Sequence, residues 1–174
     1  MLTREQAGHV FDRIRKFSQA DEVEVLFSGG RFALTRFANN TIHQNVAEEN
    51  YVVSVRTAFG GRTARASTNK FDPDSLRDVV RASESLAKVQ QPDPELLPMP
   101  DSREAAGDAG ESPFDSRSGQ VRATQVSRYF EQTARITPEQ RAEGVKQVVN
   151  VAERYKLTTA GVFSTAESCE GIFT

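Results

Sequence analysis

The sequence predicts an α+β fold, a two-layer sandwich in which an antiparallel sheet of about five strands carries helices packed on one face, with a later helix and strand. Three observations predict it. An amphipathic helical stripe opens the chain and another follows residue 72. Alternating apolar and polar residues fill the interval between them. Two short turn signals, Asn39-Asn40 and Gly60-Gly61, divide that interval into hairpins.

The first helix spans residues 4–18. Thr3 and Gln6 stand at capping-box spacing, and Ala7, Val10, Phe11, Ile14 and Phe17 follow at helical intervals. Asp21 ends it. Val23, Val25 and Phe27 then alternate with Glu22, Glu24 and Leu26, the period of a half-buried strand. Gly29-Gly30 reads as a turn. Beyond it, residues 31–38 and 41–47 flank Asn39-Asn40, two residues that tolerate the positive φ of a hairpin loop. With those two as the loop, Phe37 faces Ile42, Arg36 faces His43 and Ala33 faces Val46.

The same arithmetic at Gly60-Gly61 pairs Val55 with Ala66, Thr57 with Ala64 and Val53 with Thr68, leaving small residues on the inner face. Small side chains admit a helix closely. Asp72 as N-cap and Pro73 at the first helical position open that helix, whose stripe is Leu76, Val79, Val80, Ser83 and Ala87. Residues 1–90 therefore read as one N-terminal α+β domain.

Residues 91–120 hold Pro92, Pro94, Pro98, Pro100 and Pro113 among glycine, serine and aspartate, the composition of a linker or surface excursion. Residues 121–174 read as a helix and strand that continue the domain or start the next. Order returns over 121–134, anchored by Val126, Tyr129 and Phe130. Thr137-Pro138-Glu139-Gln140 is a second capping box, and it opens a helix with the stripe Val145, Val148, Val149 and Ala152. The β-branched and aromatic residues that follow Lys156 predict a strand. A strand running to the last residue leaves an edge that natural domains usually cover, so a partial chain is the expectation.

Composition narrows the function classes. The 174 residues carry a formal net charge of -2, with 37% hydrophobic and 26% charged residues. No basic footprint marks a nucleic-acid partner. No run approaches the ~20 apolar residues that span a bilayer, and the amino terminus lacks a signal-peptide core. A cytoplasmic protein with no membrane partner is the expectation. The single cysteine, Cys169, has no internal disulfide partner.

No catalytic constellation emerges. His9 and His43 lie on different elements and outside any His-Glu-x-x-His arrangement. Cys169 has no histidine near it in sequence, and Ser164 and Ser168 lack the Gly-x-Ser-x-Gly setting of a nucleophile elbow. Neither a catalytic residue nor a metal ligand is assigned. Arg56 and Arg65 do stand out, because the hairpin register sets them opposite each other, and opposed like charges cost ~0.2–1 kcal/mol. Either Glu22, Glu24, Glu48 or Glu49 neutralises the pair, or the two arginines contact a substrate or a partner subunit.

Several stretches resemble the amino-terminal domain of the TldD/PmbA family, proteins described as peptidases and peptide-maturation factors and formerly as modulators of DNA gyrase. They are RFANNTIHQN from Arg36, VRTAFGGRTARASTN from Val55, FDPDSLRDVVRASESLA from Phe71, and the run from Thr133 through Thr137-Pro138-Glu139-Gln140-Arg141 to Ser164. Ala64 stands where relatives often have glycine. The resemblance implies a larger zinc metalloprotease that cleaves or matures peptides, in which this domain walls the substrate cleft or assembles subunits. Zinc is implied for the full-length metal-bearing member, on a His-Glu-x-x-x-His helix that does not occur in residues 1–174. It implies no cofactor held by this chain and no activity of this chain alone. It further implies a peptide or unfolded polypeptide as substrate, and a homo- or heterodimer with a second family subunit. The alternative is a non-catalytic peptide- or subunit-binding module that uses exposed sheet edges.

Overall fold

The computed structural model describes residues 2–99 and 129–174. Helix α1 spans Arg4–Phe17, strand β1 Glu22–Ala38, β2 Thr41–Phe59 and β3 Arg62–Thr68. Helix α2 spans Pro73–Val89, α3 Glu131–Ala134, α4 Pro138–Arg154, and β4 Gly161–Phe173 closes the order. The strands form one antiparallel sheet in the order β3-β2-β1-β4. The α+β class and the helices on one face are as the sequence predicts. Three strands, not five, precede α2.

The difference lies at Gly29-Gly30. The pair does not turn but continues β1, with φ of 153° and 159°, and β2 runs unbroken beside it. Only glycine fits there. A Cβ on Gly29 would stand 2.2 Å from the Asn50 carbonyl oxygen, and one on Gly30 1.9 Å from that of Glu167. The two glycines let neighbouring backbones close on β1 from both sides.

Asn39 and Asn40 form the loop of the β1–β2 hairpin with φ of 51° and 60°, as a two-residue primed turn requires. Phe37 pairs with Ile42 as predicted, but the register then shifts between Arg36 and Phe37. His43 is the extra residue of a β-bulge, so Arg36 faces Gln44 and Ala33 faces Ala47. The Gly60-Gly61 hairpin keeps its predicted register, including Arg56 opposite Arg65.

Capping is built as the sequence indicates. Gln6 N–H donates to Thr3 Oγ1 at 3.2 Å while Thr3 N–H donates to Gln6 Oε1 at 2.9 Å, and Thr137 and Gln140 repeat the exchange on α4. On α2, Ser75 N–H donates to Asp72 Oδ1 at 2.9 Å. The buried face of α2 holds the predicted stripe and Glu84 besides. Glu84 Oε1 accepts from Ser18 Oγ at 2.7 Å and from the Gln19 amide at 2.6 Å, tying the α1–β1 connection to α2.

Two cores share the odd-numbered face of β1. The larger joins α1 (Val10, Phe11, Ile14), the strands (Val25, Phe27, Val53, Val55) and α2 (Leu76, Val79, Val80). Phe173 at the end of β4 stacks into it, 5.6 Å from the Phe11 ring and 5.4 Å edge-on from Phe27. The smaller consists of Phe37, Val145 and Val149. Val148, predicted to be buried with them, is 49% exposed. It lies on the flank of α4 and not on the stripe that faces the sheet.

After α2 the chain turns back over the sheet. Asp93 N–H donates to the Gly61 carbonyl at 2.8 Å, and Met99 N–H to Glu22 Oε2 at 3.0 Å. The rest of the proline-rich stretch, and Val126 among the anchors, fall outside the described residues. Beyond them Asn40 ties the hairpin tip to the α4–β4 connection, its amide donating to the Leu157 carbonyl at 3.1 Å and accepting from Thr159 N–H at 2.8 Å.

Candidate functional site

The two arginines singled out by register meet at the start of the sheet, on the face away from the helices. Glu24 lies between them on the neighbouring strand. Arg56 Nη2 donates to Glu24 Oε2 at 3.0 Å, and Arg65 Nη2 donates to Glu24 Oε1. Arg65 Nη1 also donates to Ser54 Oγ at 3.2 Å, which Ser67 Oγ joins at 2.9 Å. One carboxylate therefore serves two guanidinium groups, and Arg56 Nε is buried with no hydrogen-bond partner among the described residues. Glu24 is the acidic neighbour that the like-charge pair demanded.

A second polar centre was not singled out from the sequence. Arg141, on the buried face of α4, is 2% exposed. Its Nε donates to Thr35 Oγ1 at 3.3 Å, Nη1 to the Ile136 carbonyl at 3.2 Å and Nη2 to Asn45 Oδ1 at 3.0 Å. Thr35 Oγ1 in turn donates to Asn45 Oδ1 at 3.1 Å. The signal was present, since Arg141 lies four residues before Val145 on the buried stripe. It joins α4 to the β1–β2 hairpin through neutral oxygens.

One edge of the sheet is β4, the other β3. Among the described residues β4 has β1 on one side and no strand on the other. Over its 13 residues it carries no lysine, arginine or proline, the residues that usually blunt an edge. Beside its middle lies a hollow of about 410 Å³, walled by Ala166, Glu167 and Ser168 on the strand and by Tyr129, Phe130 and Thr133 near α3. Tyr129 and Phe130 are 48% and 67% exposed. Glu167 stands directly opposite Arg31 of β1. Nearby Tyr51 feels the local acidity: burial first, then the Glu49 carboxylate and more weakly Glu167, push its phenol above the usual range.

Residues with metal-binding chemistry do not meet. His9 lies on α1 with its ring 3.9 Å from Glu5, His43 sits in the β2 bulge, and Cys169 on β4 directs Sγ to the Leu2 carbonyl at 3.6 Å. No group of three histidine, cysteine, aspartate or glutamate residues among the described residues is placed to hold a metal ion. These residues do not fit a zinc site.

Residues 23–87, from β1 through nearly all of α2, match the family described as PmbA/TldA metallopeptidase domain 1. This segment is similar to the first domain of that family. No curated protein matches the sequence. The fold of the chain recurs in solved structures, among them a protein of Bacteroides thetaiotaomicron described as a candidate modulator of DNA gyrase, with a TM-score of 0.67 at 16% identity over 99% of this chain and 39% of that one. TldE from Thermococcus kodakarensis matches with a TM-score of 0.63 at 15% identity, over 95% of this chain and 37% of its own. A Thermotoga maritima protein, also described as a candidate modulator of a DNA gyrase, gives 0.52 at 13% identity over 95% and 38%. The chain thus spans about two fifths of the length of the structures it resembles.

Proposed function

We propose that this chain is the substrate-cleft and assembly domain of a TldD/PmbA-type metalloprotease that cleaves or matures peptides, with the catalytic zinc held by polypeptide outside residues 1–174. The observation that carries this reading is the match of residues 23–87 to the first domain of that metallopeptidase family. The scatter of His9, His43 and Cys169 over three separate elements supports it, because no group of three metal-ligating residues comes together among the described residues. A peptide or unfolded polypeptide is the proposed substrate and a second family subunit the proposed partner. Arg56 and Arg65 are the proposed contacts, and the cytoplasm is the proposed compartment. The test is metal analysis and a peptidase assay on the purified chain. The expected result is no stoichiometric zinc and no cleavage of an unfolded substrate such as casein. Tight one-to-one zinc would overturn the assignment of roles.

A second reading rests on the unblunted β4 edge. In it the chain is a non-catalytic module that binds an extended peptide or a partner strand by strand addition, with backbone hydrogen bonds supplying affinity. Backbone N-methylation of a bound peptide is expected to abolish binding in this case.

A further inference from the structure

We draw no further inference here: the strongest candidate, the apolar flank of α4 on which Val148, Val151 and the C-cap residue Tyr155 stand exposed, is an unpartnered helix face, and nothing in the structure shows what covers it.

Discussion

The half of the sheet covered by α1 and α2 and the half covered by α4 are built on the same two long strands, β1 and β2, yet they are closed differently. The first buries residues from two helices and two residues each from β1 and β2 in one continuous cluster, against which Phe173 packs. The second has three apolar core residues and relies on Arg141 and its neutral partners to hold α4. Each fully buried Val, Leu or Phe contributes roughly 1.5–3 kcal/mol, so the first half carries most of the stability. The second half keeps an open edge, an exposed helix flank and a hollow. Stability and open surface are separated along one pair of strands.

Leu76→Ala should break the first half and produce the largest effect, a loss of about 2–5 kcal/mol in urea or thermal unfolding. The matched change in the second half, Val149→Ala, should cost clearly less. Equal losses would mean that the halves unfold as one unit with no division of labour.

Gly30→Ala comes next. Its Cβ would meet the Glu167 carbonyl oxygen at 1.9 Å, and the strained φ adds ~1–3 kcal/mol. The β4 edge should be released while the larger core survives, seen as faster amide exchange in β4 with protection kept in α2. Arg141→Met removes the bonds to Thr35, Asn45 and Ile136 and should cost ~1–3 kcal/mol, with amide protection lost first in the hairpin ends next to Asn39-Asn40.

The smallest effect concerns pH. The Ser75 amide, bonded to the Asp72 carboxylate, holds its pKa below the usual range. A carboxylate with a depressed folded pKa stabilises above its unfolded value, and that contribution fades as pH falls through the folded one. The α2 cap should therefore weaken in acid, and Asp72→Asn should flatten that part of the stability profile while keeping the cap.

What the sequence disclosed follows from how local each signal is. Helix starts were legible because Thr3, Asp72 and Thr137 are read by amides three residues on, and the Gly60-Gly61 register because both loop residues adopt positive φ. Gly29-Gly30 misled, because a glycine pair marks a turn when neighbours are unknown, and the pressing backbones of Asn50 and Glu167 come from distant parts of the chain. The bulge at His43 shifted the far register for a similar reason, as no local residue type announces it. Glu24 was among the candidates for the Arg56–Arg65 pair since strand alternation places it on their face. Arg141 depends on α4 settling beside β1 and β2, contacts that span 106 and 96 positions, and the hollow on α3 settling beside β4, and neither leaves a periodic trace.

The clamp of Asn40 on Leu157 and Thr159 bears on the order in which the molecule assembles. Its partners are separated by 117 and 119 positions, whereas each hairpin closes across two residues. Local closure is fast and distant closure slow. The three-stranded meander should consequently form before its tip can receive the returning chain, and the docking strand should be the last piece to arrive.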